Sequence, residues 1–237
     1  MRIQKLTDVC RDDTVYIIGT GPSLRCMDLS FFENKVTIGL NQAWRHLPTS
    51  YAITVHPELL ADYHASKPKK PTRWIVKRKP PREDLTLDDP KYYVFDTSYD
   101  LNTVATKPKD TLYLGEGVQT CAMDLASRMA ARFIVLVGCD GYALNGDYHA
   151  HDQHVKWLGM QPNDQYALYR QSTAEVREVL RKDGVSVLTM TPFIGAAHAH
   201  EDYARLCDVL KLPKLQQPVD TSTYVRDPAT IRVNRGT

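Results

Sequence analysis

No stretch of this 237-residue sequence stays apolar for the roughly 20 residues a bilayer-crossing helix needs. The opening Met1-Arg2-Ile3-Gln4-Lys5 lacks the apolar centre of a signal peptide, so the expected location is the cytoplasm. Cysteine is scarce. Five residues, an odd number with no close pairs, supply neither a disulfide framework nor zinc-finger spacing. Cys121, Cys139 and Cys207 read instead as small core residues in a reducing compartment. The sequence has no internal repeat. It also has no Asp-x-Asp flanked by strand-like residues, so a Mg²⁺-bridged diphosphate is not signalled and no metal is expected. Acidic residues are missing altogether between Lys67 and Arg82.

What remains is ordinary globular composition, 43% hydrophobic and 24% charged, enough for one large domain with a real core. Short continuous apolar runs at Val15–Ile18, Val36–Leu40, Ala52–Val55, Trp74–Val76, Tyr92–Phe95, Phe133–Val137 and Ser186–Met190 read as strands covered on both faces. Helical stretches alternate with them: Leu24–Phe32, Gly117–Arg132, Gln165–Lys182 and His198–Leu210. In the second, Val118, Cys121, Ala122, Leu125 and Met129 share one face. This order predicts a single α/β domain, a doubly wound, mostly parallel, Rossmann-like sheet over residues 1–212. A lid loop is expected over about 142–165. A polar arm, 213–237, is expected to lie on the surface or on a second copy of the chain in a homo-oligomer.

The Gly19-Thr20-Gly21-Pro22-Ser23-Leu24 turn follows the first strand and precedes a predicted helix. Missing side chains let a phosphate or ribose approach the backbone, and N–H groups at a helix start favour negative charge. Asn41, followed by Gln42, ends the second strand beside this turn, and its amide can both donate and accept. The pattern is not the dinucleotide fingerprint, because the closing glycine of G-x-G-x-x-G is missing. Taken alone, the turn equally fits an ordinary strand–helix connection with Pro22 at the helix start.

A second constellation follows the Phe133–Val137 strand: Gly138, Asp140 and Tyr142, then Tyr148, His149, His151, Asp152 and His154. Ligands of open α/β sheets bind at the carboxyl ends of strands, so this loop falls on the same edge as Gly19–Ser23 and Asn41. The three histidines could ligate zinc, although a polar lid is the plainer reading.

Eight cations lie between Lys67 and Arg82, Lys69, Lys70, Arg73, Lys77, Arg78 and Lys79 among them. The chain's net charge is +2, so everything outside this run carries −6. Such a run is either a solvated ribbon or a contact for a polyanion, nucleic acid or an anionic membrane surface. Trp74 within it suits a polyanion contact or a core anchor.

Together, over about residues 13–195, these pieces resemble the Campylobacter-type bacterial sialyltransferases, glycosyltransferase family forty-two, and related proteins sharing their nucleotide-binding core. The resemblance rests on Gly19 to Leu24, Asn41-Gln42, Glu116-Gly117-Val118 where the family has Ser-Gly-Val, and Gly138, Asp140 and Tyr142 with Tyr148 six residues on. It implies nucleotide contacts at Gly19, Thr20, Gly21, Pro22, Ser23, Asn41, Gln42, Glu116, Gly117 and Asp140. It implies that Tyr142 and Tyr148 steady the leaving phosphate without a metal. Two departures matter. The family's general-base histidine just before the Gln165–Lys182 helix is absent, and Tyr166, Tyr169, Arg170 and Gln171 stand there instead. His149, His151, His154 and Asp152 are then the candidate bases. Glu116 in place of serine points away from sialic acid as the sugar while leaving a nucleotide-activated donor in place.

The expected activity is transfer of a sugar from a CMP- or UDP-type donor to a hydroxyl, with no further cofactor. The acceptor is a hydroxymethylated base in DNA, as some bacteriophages glycosylate, or an anionic glycan such as lipooligosaccharide at a membrane surface. A phage origin would put the chain in the host cytoplasm. Two other classes fit the same core: an ATP-dependent pyrophosphokinase-like transferase, disfavoured by the missing acidic pair, and a non-catalytic nucleotide-binding protein.

Overall fold

The computed structural model describes residues 1–67, 72–78, 92–106, 110–141, 149–150 and 162–190. Among these residues, eight strands make one sheet: β1 (Thr14–Ile18), β2 (Val36–Leu40), β3 (Tyr51–Thr54), β4 (Arg73–Lys77), β5 (Tyr93–Ser98), β6 (Thr111–Tyr113), β7 (Phe133–Val137) and β8 (Ser186–Met190). Every neighbouring pair is parallel, in the order β6-β5-β4-β3-β2-β1-β7-β8. The helices are α1 (Leu59–Ala65), α2 (Val118–Arg128) and α3 (Pro162–Lys182). This is the doubly wound, Rossmann-like α/β architecture that the alternating apolar runs predict.

Side chains alternate across each strand, so one strand feeds two cores. Val15 and Ile17 of β1, Ile38 of β2, Ile53 of β3 and Ile134 and Leu136 of β7 pack with Val118, Cys121 and Leu125 of α2 and Val176 and Leu180 of α3. Tyr16, Ile18, Val135 and Val137 face the opposite layer, against Leu24, Phe32 and Leu47. Farther along that second face, Leu60 and Tyr63 of α1 cover Ala52, Trp74 and Val76. Burial on both faces explains why the sequence shows unbroken apolar runs rather than alternation.

Four elements differ from expectation. The predicted Leu24–Phe32 helix is two short 3₁₀ turns, Pro22–Cys26 and Leu29–Phe32, with Met27 extended between them. Asp28 causes the break. Its carboxylate accepts from the Ser30 amide at 3.0 Å and the Ser30 hydroxyl at 2.7 Å, restarting the chain as a cap. The same bonds hold the Asp28 carboxyl below its usual pKa. β6 is only three residues and α1 only seven, too short for a period to show in sequence. α3 begins at Pro162, inside the span expected for the lid. The predicted His198–Leu210 helix, Cys207 and the 213–237 arm lie outside the described residues.

A buried ion pair fixes where α2 starts. Asp124, fully buried, accepts from Arg128 Nε and Nη2 at 2.9 Å each, from the Ala105 amide at 2.9 Å and from the Tyr113 amide at 2.8 Å. One carboxylate thus ties α2 to β6 and to the turn before β6. The helix start, Gly117, is thereby held at the carboxyl edge of the sheet.

Candidate active site

Strand order reverses between β1 and β7. The chain leaves β1 toward β2 and β6, then returns across the sheet to lay β7 on the other side of β1. Such a switch point opens a crevice outside the carboxyl ends of the two strands. A cleft of about 1000 Å³ lies there. It is lined by Gly19, Thr20, Gly21, Asn41, Gln42, Glu116, Gly117, Asp140 and His149, so sequence-distant candidates do converge on one place.

The reason for the glycines differs from the expected one. The Gly19 amide donates to the Val137 carbonyl and the Gly21 amide to the Gly138 carbonyl, each at 2.7 Å. A Cβ on Gly19 would collide with the Gly138 carbonyl, and one on Gly21 with the Asp140 carboxylate. Both glycines are demanded by the close approach of the β1 and β7 loops, before any ligand is considered. Asp140 belongs to the same lock. It accepts from the Ser23 amide at 2.8 Å and from the Ser23 hydroxyl at 2.5 Å. Ser23 is fully buried and neither it nor Pro22 lines the cleft. The predicted attraction of phosphate to the helix after Gly21 therefore lapses, since no α-helix stands there and Asp140 already occupies the Ser23 amide.

The donors that remain are different ones. Helix α2 starts at the cleft on Gly117 with no side chain capping it. The first amides of an α-helix have no intrahelical acceptor, and its dipole places partial positive charge at that end. The Tyr169 ring lies 3.3 Å from where a Gly117 Cβ would stand, so α3 packs directly over this turn. Burial pushes the Tyr169 hydroxyl above its usual pKa, with Glu116 adding to the effect. Tyr166 stacks edge-on against Tyr169, and Arg170 donates to the Gly141 carbonyl at 2.7 Å, closing α3 onto the β7 loop.

Asn41 adopts φ 48°, a left-handed conformation that asparagine tolerates. Its orientation follows from its neighbour. The buried Thr54 hydroxyl accepts from the His56 amide at 2.9 Å, and its own proton goes to Asn41 Oδ1 at 2.9 Å in preference to the His56 carbonyl at 3.3 Å. Asn41 Nδ2 is left as a donor in the cleft wall.

Of the four candidate bases, His149 lies within the described residues. Its Nδ1 meets Thr20 Oγ1 at 2.9 Å. The segment is strapped down: the Ala150 amide donates to the Thr20 carbonyl at 2.7 Å, and Arg25 donates to the His149 and Ala150 carbonyls at 3.1 and 3.0 Å. His151, Asp152, His154, Tyr142 and Tyr148 lie outside the described residues. So do Lys69, Lys70 and Lys79. Among the described residues no group of His, Cys, Asp and Glu could hold a metal ion, and no helix is long and apolar enough to cross a membrane.

The described part of the basic run does not form one patch. Arg73 opens β4 at the edge opposite the cleft and lies over the Tyr51 ring at 5.8 Å. Arg78, beyond the other end of β4, pairs with Asp96 at 3.6 Å. Lys77 ends the strand half-buried. Trp74 between them is a core residue, edge-on to Tyr63 at 5.1 Å.

Sequence reading passed over His56. It lines the cleft two residues after β3, with Nδ1 3.3 Å from Glu58 Oε1. The signal was its place just beyond the carboxyl end of a strand. Burial, with the Asp140 charge adding to it, pushes the Cys139 thiol above its usual range, which disfavours the thiolate a nucleophile needs.

No family model and no curated protein matches the sequence. Among solved structures the chain is similar to the sialyltransferase CstII from Campylobacter jejuni, solved with the substrate analogue cytidine-5'-monophosphate. The identity is 16%, over 77% of this chain and 81% of that one, with a TM-score of 0.49. It is also similar to the MAf glycosyltransferase from Magnetospirillum magneticum AMB-1, at 12% identity and a TM-score of 0.49, over 80% of this chain and 35% of that one. At these identities and scores neither likeness carries an activity or a residue role to this chain.

Proposed function

We propose that the chain is a glycosyltransferase that takes a sugar from a CMP- or UDP-type donor. The observation that carries the reading is the convergence at the β1/β7 switch point of the Thr20–His149 pair, the Asn41 amide and the uncapped start of α2. A nucleotide phosphate needs N–H and O–H donors held in place before it arrives, and each of these is fixed by the fold rather than by the ligand. Asn41 Nδ2 suits the ribose. The α2 start and Thr20 suit the phosphate. With its ring against Thr20, His149 belongs to the donor side, where an imidazole N–H can stabilise the departing phosphate. Tyr142 and Tyr148 are assigned the same leaving-group role on the motif they share with the sialyltransferases.

The reaction is displacement at the anomeric carbon, with a base taking the proton of the acceptor hydroxyl. The acceptor we propose is a hydroxymethylated base in DNA, on the strength of the cations between Lys67 and Arg82 other than Arg73, which stands at the far edge of the sheet, and Arg78, which pairs with Asp96. Such a base leaves the stack to reach a cleft of this kind. The test is nucleotide release from CMP-N-acetylneuraminic acid, CDP-glucose, UDP-glucose, UDP-N-acetylglucosamine and GDP-mannose, with hydroxymethylated duplex and single-stranded DNA and lactose as acceptors. Transfer to DNA that weakens steeply with salt supports the reading. Transfer to lactose alone moves the acceptor to a glycan, and release from no donor removes the glycosyltransferase.

A further inference from the structure

We infer that His56, oriented by Glu58, is the group that takes the proton from the acceptor hydroxyl; the inference rests on the transferase reading above. Three observations lead to it. His56 Nδ1 lies 3.3 Å from Glu58 Oε1. An ionised carboxylate only accepts, so in the neutral ring Nδ1 carries the proton and Nε2 the lone pair. Nε2 meets no partner among the described residues. The His56 side chain is 52% exposed on the cleft wall, within reach of an incoming hydroxyl.

The second observation is how the residue is held. Its amide donates to the buried Thr54 hydroxyl at 2.9 Å, and that hydroxyl donates to Asn41 Oδ1 at 2.9 Å. One threonine therefore sets the Asn41 amide and the His56 backbone in a fixed relation across the ends of β2 and β3. A donor gripped by Asn41 has His56 as its neighbour on the next strand.

The third is position along the sheet. β3 lies on the far side of β2 from β1 and β7, so His56 stands away from the Thr20–His149 phosphate side. Tyr99, 72% exposed just beyond β5, lines the same end of the cleft. An acceptor enters on this side, opposite the leaving group, as in-line displacement requires. His149 does not serve equally, because it stands against Thr20 at the other end of the cleft, on the leaving-group side.

In the step, His56 Nε2 takes the hydroxyl proton as the acceptor oxygen forms its bond to the anomeric carbon. The bond from that carbon to the donor phosphate oxygen breaks, its electron pair leaving on the nucleotide. The imidazolium then returns the proton to solvent. Water can replace the acceptor, so donor hydrolysis reads the same base. Glu58 is a positioning residue.

The test measures nucleotide release from the donor panel above by wild type, His56→Ala and Glu58→Gln, with folding checked by melting temperature. His56→Ala is expected to lose about 10²–10⁴-fold in kcat with donor KM little changed. Added imidazole is expected to restore at least about tenfold of that loss, since it replaces a missing base and not a missing packing contact. Glu58→Gln is expected to lower kcat several-fold without imidazole rescue. Wild-type turnover in His56→Ala, or a loss that imidazole does not relieve, overturns the assignment and leaves the transferase intact. No release by wild type from any donor overturns the transferase, and this inference with it.

Discussion

Replacing Asp140 by alanine separates a structural carboxylate from a ligand-binding one. Asp140 is 7% exposed and receives two hydrogen bonds from Ser23, which is wholly buried. Bonds to a charged acceptor contribute about 1.5–3 kcal/mol each, and the partners left behind keep their desolvation cost. Truncation also opens space beside Gly21, through which water can reach the Ser23 amide and recover part of the loss. The lower end applies, about 3 kcal/mol for Asp140→Ala. In a chain of this size that lowers the melting temperature by about 6–12 °C. Asp140→Asn behaves differently. Its carbonyl can still accept from the Ser23 amide, and its NH₂ can donate to the Ser23 hydroxyl. The charge assistance disappears and the Ser23 hydroxyl proton loses its acceptor, together about 1–2 kcal/mol. Calorimetric melts of the two variants, with nucleotide binding measured alongside, decide the matter. An Asp140→Ala protein that melts within about 2 °C of wild type but no longer binds nucleotide would refute the lock and return Asp140 to the ligand.

Arg128→Met leaves the fully buried Asp124 carboxylate facing two amides and no cation, and is expected to cost about 3–5 kcal/mol in urea denaturation. The exposed Arg181–Glu178 pair is the control, and Arg181→Met is expected to leave the urea midpoint unmoved. Stability is also expected to fall in alkali. Burial, with Asp13 adding to it, pushes the Cys10 thiol up to about 11, and burial raises Cys121, Cys139 and the Tyr16 hydroxyl as well. Unfolded thiols ionise from about pH 8.5, so between there and 11 the folded chain holds more protons than the unfolded one. The urea midpoint should stay level up to about pH 8.5 and drop as pH rises toward 11; a level or rising profile contradicts this. At Asn41, aspartate keeps the acceptor for Thr54 and tolerates φ 48°, but removes the Nδ2 donor. Asn41→Asp is expected to melt like wild type and to bind nucleotide at least about tenfold more weakly in calorimetry, a loss of 1.4 kcal/mol or more.

The fold was legible because parallel strands buried on both faces write themselves as unbroken apolar runs. Val36–Leu40, Phe133–Val137 and Ser186–Met190 match their observed limits. The misses share a cause, which is contacts too local or too distant for periodicity to register. Asp28 stopping the helix after Leu24 is a single side chain capturing a single amide two residues on. β6 survives at three residues because Asp124, eleven positions away, accepts the Tyr113 amide.

The site was legible in its location and not in its reasons. The rule that ligands gather at strand carboxyl ends brought Gly19, Asn41, Gly138 and Asp140 to one edge, and they stand there. Sequence alone could not tell a glycine that admits a phosphate from one that admits a neighbouring loop. Gly19 and Gly21 are of the second kind, because the Gly138 carbonyl and the Asp140 carboxylate fill the space a side chain would take. A motif shaped by packing between two loops can persist while the ligand changes. That separates two sets of residues at this edge of the sheet. Gly19, Gly21, Ser23 and Asp140 make the β1/β7 lock even where they border the cleft, whereas Asn41, His56, Glu116 and His149 line the cleft outside that lock and can report the substrate. Donor and acceptor are therefore to be sought through those residues, and the glycine turn says only that a crevice is there to hold them.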